Sequence, residues 1–442
     1  MPIKTSIHFA SVYAEGTDWR DTAKQVLEEI DSIRTENDGF TLGFLYITDD
    51  LAEDATSILN LFKSVTGIED WVGCVGMGVF ANGQCLIGKT AISAMIGKIP
   101  EDDFLVMPGT TLGIDQNEKF ITSWLNENDP FCAIVHGDPM SEEDPAHDLD
   151  ALFETTQCFL VGGLSSAAAH HVQYANDAYD NGISGVLFNT SQTILTGLTQ
   201  GCKPLGPTHT VTRAHENIIM ELDHKPAFQV FADDIREDAK KRVEDVTVSG
   251  AGGLSRASDL PEEGLAGSDS DVMTQLKDFI SPLKDMFEGD IHLAFPIAGV
   301  DTQDYLVRSI VSLDPDHGWI SVGQNVVDGD HVMLVRRDHA SIEADLSKML
   351  LNIRKRFHHD HGEAGPKAGI YISCVGRADT ELTQPNRPGN KETDLKDDNA
   401  PTNEMELILE IIGDIPMVGY YASGEISNAR LYGYTGILIL FN

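Results

Sequence analysis

Trp71-Val72-Gly73-Cys74-Val75-Gly76-Met77-Gly78 is the stretch on which the fold turns. Its aromatic and β-branched residues favour a strand, and its glycines let a neighbouring backbone come close. The glycines stand in the reverse order to the dinucleotide fingerprint G-x-G-x-x-G. A pyrophosphate site also needs a helix N-terminus directly after the glycines. Here a turn at Asn82-Gly83 and a second apolar run, Thr90–Ile96, follow instead. The stretch therefore reads as a glycine-punctuated strand, Trp71–Phe80, with Thr90–Ile96 as its hairpin partner.

The same pattern recurs. Leu160-Val161-Gly162-Gly163-Leu164 leads to an apolar run at Gly185–Asn189, and Val418-Gly419-Tyr420-Tyr421-Ala422-Ser423-Gly424-Glu425 leads to one at Tyr434–Phe441. Related sheet modules in the two halves of the chain would give this recurrence, and so would unrelated glycine-rich hairpins. Helical spacing over Thr17–Thr35, Ala52–Val65, Asn117–Asn126, Asp144–Thr156, His339–Phe357 and Glu404–Ile412 alternates with strand-like runs such as Phe40–Ile47, Phe131–His136, Ile291–Ile297 and Ala368–Cys374. Several strands follow one another without an intervening helix. The fold class is α/β in the mixed α+β sense, with largely antiparallel sheets flanked by helices in two domains. The division falls at 1–230 and 231–442, with acidic, apolar-poor loops at 245–271 and 379–402.

With 442 residues and 41% hydrophobic content the chain is long enough for real cores. Acidic residues (70) outnumber basic ones (31), for a formal charge of −39. Nucleic acid and anionic membrane are excluded as main partners, because no Lys/Arg run neutralises phosphate. No apolar stretch approaches a membrane span and no signal peptide is visible, so a cytoplasmic protein is expected. Cys74, Cys85, Cys132, Cys158, Cys202 and Cys374 form no C-x-x-C pair, as expected of reduced thiols. His358-His359-Asp360-His361 and His170-His171 suit a helix end or incidental metal contact, and no metal or cofactor is expected.

The candidate ligand-binding residues lie beside special-backbone motifs. Lys203 sits in the rigid loop Gln200-Gly201-Cys202-Lys203-Pro204-Leu205-Gly206-Pro207, and Arg213 follows in a strand. Both supply charge-assisted donors for a carboxylate. Arg377 lies three residues after Cys374, whose thiol pKa it would lower. Glu425 lies just past a strand end, before Ser427-Asn428, and a Glu425–Arg377 pair would either read a zwitterion or neutralise itself. Gly162 and Gly163 offer close backbone approach. No catalytic residue is assigned.

These motifs resemble those of the FIST family, named for F-box and intracellular signal transduction. Trp71–Cys74, Phe159–Gly163, Gln200–Pro207 with Val211-Thr212, and Asn217–Asp223 with Pro226-Ala227 resemble a FIST N domain. Tyr371–Arg377, Gly419–Ile426 and Tyr432–Thr435 resemble a FIST C domain. The resemblance implies a sensory domain pair proposed to bind small ligands, amino acids among them, which either signals through a separate partner protein or stands alone as a ligand-binding protein. Two other readings stand beside it: a Cys-dependent hydrolase or transferase using Cys374 or Cys202, and an interaction scaffold working through its acidic surface.

Overall fold

Strand β1 (Phe9–Gly16) is followed by helix α1 (Trp19–Glu36), strand β2 (Leu42–Thr48), helix α2 (Ala55–Thr66) and strand β3 (Asp70–Gly76), which lies parallel to β2. The computed structural model describes residues 8–110, 115–248, 291–297, 304–337, 339–362, 365–378 and 404–442. Local chemistry sets the crossovers. The Asp18 carboxylate accepts the Arg20 and Asp21 N–H groups and so caps α1. Gly67, at φ 64°, ends α2 in the left-handed region. After β3 the chain forms a hairpin, β4 (Gly78–Ala81) with β5 (Gln84–Ile87), and returns as β6 (Thr90–Gly97) between β1 and β2. Trp71–Phe80, which reads as one strand, is thus two strands in two sheets. Asn82 (φ 44°) and Gly83 (φ 84°) close the β4–β5 turn, so Thr90–Ile96 is not its hairpin partner.

The next segment repeats this order: β7 (Phe104–Met107), α3 (Asp115–Leu125), β8 (Pro130–Gly137), α4 (Pro145–Thr156), β9 (Phe159–Leu164), the hairpin β10 (Gln173–Ala175) with β11 (Ala178–Tyr179), and β12 (Ile183–Asn189). Strands β8 and β9 are the parallel pair, and β12 lies between β7 and β8.

A third repeat opens with β13 (Ile194–Gln200), and then the chain builds a separate unit, Cys202–Ser341. It holds β14 (Cys202–Pro204), β15 (His209–His215), β16 (Ile218–Leu222), β17 (Lys225–Pro226), α5 (Ala227–Val248), β18 (Ile291–Pro296), β19 (Tyr305–Asp314), β20 (Trp319–Val322) and β21 (His331–Arg337). The antiparallel order β15-β16-β20-β19-β18-β21 closes back on β15, so the strands form a barrel. Val211, Ile219, Leu293, Ile320, Val332 and Leu334 share its core with Phe231 and Ile235 of α5.

The third repeat resumes with α6 (His339–His361), β22 (Ala368–Cys374), α7 (Glu404–Ile412), β23 (Met417–Ala422), the hairpin β24 (Gly424–Ser427) with β25 (Arg430–Tyr432), and β26 (Thr435–Phe441). Again a parallel pair, β22 with β23, lies beside an antiparallel β26–β13 pair. The compact units are thus Met1–Gly201 with Ile342–Asn442, and Cys202–Ser341, a division that differs from a single cut after residue 230. The stretch read as a loop from 245 begins as helix, since α5 runs to Val248. Residues 249–271 and 379–402 lie outside the described residues. No described helix is long and apolar enough to cross a membrane.

The three repeats exchange their hairpins in a cycle. β4–β5 extends the sheet of β23, β10–β11 that of β3, and β24–β25 that of β9. One glycine in each parallel pair lets its two strands approach closely. Gly73 faces Leu45, Gly162 faces Val135 and Gly419 faces Tyr371, at φ 148°, 152° and 158°. A Cβ there would stand 1.8, 1.9 and 1.7 Å from the facing carbonyl oxygens. The recurrence that reads as glycine-rich strands is therefore a threefold structural repeat. One face of each sheet joins a common core of Phe44, Ile134, Ile370, Val418 and Phe441. The other faces carry the helices: α1 and α2, α3 and α4, and α6 and α7.

Candidate functional site

Strand β22 ends at Cys374 and runs into a single helical turn, Val375–Arg377. The Arg377 side chain has no solvent exposure. Its Nε and Nη2 donate to Glu404 Oε1 at 2.9 and 2.5 Å, and Nη1 donates to the Thr199 carbonyl at 3.2 Å. Ser373 Oγ donates to Glu404 Oε2 at 2.8 Å. Burial works against the guanidinium charge, but Glu404 outweighs it and the pKa is raised. The partner of Arg377 is therefore Glu404, rather than Glu425 as the sequence suggests.

Glu425 faces Gly163 across the β24–β9 pair and is fully buried. Its Oε2 accepts the Thr435 N–H at 3.1 Å and the Thr435 hydroxyl at 2.7 Å. Oε1 has no conventional hydrogen-bond partner among the described residues, and the Cys374 thiol lies beside it. Burial pushes the Glu425 pKa up to about 8, so it is protonated at neutral pH. Burial, followed by the nearness of Glu425, raises the Cys374 thiol well above its ordinary value. A thiolate nucleophile is thus disfavoured at Cys374, and Cys202 is also buried. Tyr420 donates its hydroxyl to the Gly163 carbonyl at 2.6 Å. Tyr420 stacks on Tyr46 at 5.0 Å, and the Tyr46 hydroxyl meets His136 Nε2 at 3.2 Å. Burial lowers His136 to about 3 and keeps it neutral.

The structure thus gathers Gly162, Gly163, Cys374, Arg377 and Glu425 into one buried region of the three-repeat unit. Lys203 and Arg213 belong to the barrel unit, where both are exposed; Arg213 pairs with Glu221 at 3.7 Å. Asn428 is exposed at φ 50°, followed by Ala429 at φ 59°, and these two residues turn β24 into β25.

An open cleft lies elsewhere on the three-repeat unit, beyond the carboxyl ends of β2, β8 and β9. Its volume is about 820 Å³, and its walls include Glu53, Asp138, Met140, His170, His171 and Asp180. Ala167, Ala168, Ala169 and Val172 add apolar surface. Asp138 follows β8 directly and is 6% exposed. Its Oδ1 accepts the Met140 N–H at 2.7 Å. Burial raises its pKa, partly offset by that hydrogen bond and by His171. The loop after β9 is held by Ser165 Oγ to His171 Nδ1 at 3.1 Å, Ala168 N–H to Asp49 Oδ2 at 3.4 Å and His170 Nε2 to Glu53 Oε1 at 3.8 Å. Asp138 is missing from the sequence-based candidates. Its signal was Gly137-Asp138-Pro139 at the end of an apolar strand, where ligands of parallel strand pairs gather. Glu143, His147 and Asp148 bring metal-ligand atoms within 4.8 Å of one another, but Asp148 already accepts the Thr110 hydroxyl at 2.6 Å.

Comparison with known proteins agrees with the motifs. A protein of Mycobacterium tuberculosis (strain ATCC 25618 / H37Rv), named Uncharacterized protein Rv0628c, is 24% identical over 395 residues, covering 84% of this chain and 83% of the relative. Uncharacterized protein Mb0898c of Mycobacterium bovis (strain ATCC BAA-935 / AF2122/97) is 25% identical over 248 residues, covering 55% of this chain and 49% of the relative. The FIST N domain matches residues 41–225 and the FIST C domain matches residues 275–428. The first match begins just before β2, covers the rest of the first repeat and all of the second, and enters the barrel; the second runs from the barrel into the third repeat. With both domains in order over most of its length, the chain belongs to the FIST family.

Proposed function

We propose that this protein is a sensor that binds a small polar ligand of amino-acid size in the cleft beyond β2, β8 and β9. FIST domains are associated with sensory function in signal transduction. The observation that carries the reading is the cleft itself, about 820 Å³ at the carboxyl ends of parallel strands. That volume falls within the range of roughly 300–1,000 Å³ usual for small-molecule sites. Alanine and valine surface suits a short carbon skeleton, and the acids and histidines of the wall suit its polar groups. In this reading the Arg377–Glu404 pair and Glu425 brace the framework from inside. Six free cysteines fit a reducing cytoplasm, and signalling passes to a separate partner protein.

A thermal-shift screen of amino acids and amines tests the proposal. Filling the cleft with the exposed-site variant Ala168→Trp should leave the fold intact and abolish the ligand-dependent shift. A wild-type protein that no compound stabilises, or an Ala168→Trp variant that responds equally, contradicts it.

A further inference from the structure

We infer that the ligand of the cleft is an organic cation, seated by an ammonium group on the Asp138 carboxylate. The inference rests on the cleft reading above and narrows it to a chemical class. Asp138 is buried to within 6% exposure yet lines the cleft. Its Oδ1 holds the Met140 N–H at 2.7 Å, whereas Oδ2 accepts no hydrogen bond from the described residues. Oδ2 is not sealed from the cleft, so a charged donor bound there can reach it. An ammonium group supplies such donors, and charge-assisted hydrogen bonds are the strong ones.

The rest of the wall selects for the same sign. Glu53 and Asp180 add two more carboxylates, and the described residues of the lining include neither lysine nor arginine. His171 is tied to Ser165 through Nδ1, and His170 lies 3.8 Å from Glu53. An anionic ligand would meet like charge on several sides. The alanines 167–169, Val172 and the Met140 side chain offer apolar surface for the methylene chain behind an ammonium. Beyond the cleft, the formal charge of −39 raises the local concentration of cations and steers them inward.

Isothermal titration of the full chain at low salt tests the inference with 1,5-diaminopentane, lysine, leucine and glutamate as probes. Diaminopentane and lysine should bind, glutamate should not, and affinity for the diamine should fall as salt rises. Asp138→Asn should weaken diamine binding tenfold or more, and Asp180→Asn, on the exposed wall, two- to threefold. The second variant keeps the test decisive if the first fails to fold. Glutamate or leucine binding as tightly as lysine, with Ala168→Trp still abolishing it, overturns the cation assignment and leaves the cleft reading standing. Diamine binding that neither acid variant weakens also overturns the assignment. Binding untouched by Ala168→Trp, or no binding by any probe, overturns both.

Discussion

Gly162 sits at φ 152°, and a Cβ there would lie 1.9 Å from the Val135 carbonyl oxygen. No flexible side chain can yield at that point, because the obstacle is backbone. Gly162→Ala should therefore cost about 3 kcal/mol or more, read as a lowered urea midpoint. Glu425 gives a pH signature. Its folded pKa of about 8 lies above the ordinary 4.5, so its contribution is fully present below 4.5. As pH rises through about 8 that contribution is lost, because the unfolded state gives up the proton first. Wild-type stability should fall across this window by on the order of 3–5 kcal/mol, and Glu425→Gln should flatten the fall. Equal pH profiles for the two proteins would contradict the assignment. At this level the sequence was partly legible. The three glycines stand out as Val-Gly steps, and Glu425 and Arg377 stand out as charges beside apolar runs. The partner of Arg377 did not, because Glu404 lies 27 residues on and nothing local marks a buried ion pair.

The hairpins explain why the strands were easier to read than the sheets. Apolar runs bounded by turn residues locate β3, β9 and β23, but periodicity does not say which sheet a strand joins. β4, β10 and β24 each pair with a neighbouring repeat, so the local expectation of a hairpin return from Trp71–Phe80 to Thr90–Ile96 fails. In the barrel, His209 is clamped between two acids. Nδ1 meets Asp223 at 2.6 Å, and Nε2 meets Asp234 at 2.9 Å. Burial disfavours its charge, but the two carboxylates together outweigh that and raise its pKa above 6.5. Its stabilisation is present below 6.5 and is lost as pH climbs through the raised folded value. Asp234, raised chiefly by burial, acts in the same direction. Asp223, lowered chiefly by the Thr210 N–H, loses its contribution on acidification instead. Amide exchange in β15 and β21, corrected for the chemical rate, should speed up above pH 6.5 in wild type and lose that dependence in His209→Asn. Unchanged pH dependence in the variant would contradict the clamp.

Taken whole, the molecule is a threefold repeat interrupted by a barrel. The interruption leaves and re-enters at adjoining points, since a Cβ on Gly201 would lie 2.9 Å from Ile342 Cγ1. Replacing 202–341 with a short glycine linker should therefore leave a folded unit with a single cooperative melt; a molten product would show that the barrel is needed for folding. The net charge of −39 reads from sequence as a solvent-facing skin around scarce cations that would hold an anion. The structure pairs Arg377 with Glu404 and Arg213 with Glu221, whereas the cleft wall presents Glu53, Asp138 and Asp180. In the proposed reading the acids are therefore the binding groups. Hydrogen-exchange mass spectrometry with saturating 1,5-diaminopentane tests ligand binding in this cleft most directly. Protection should appear in 49–54, 137–140 and 165–172, the segments that wall the cleft; unchanged exchange in all three, or protection confined to 202–341, would contradict it.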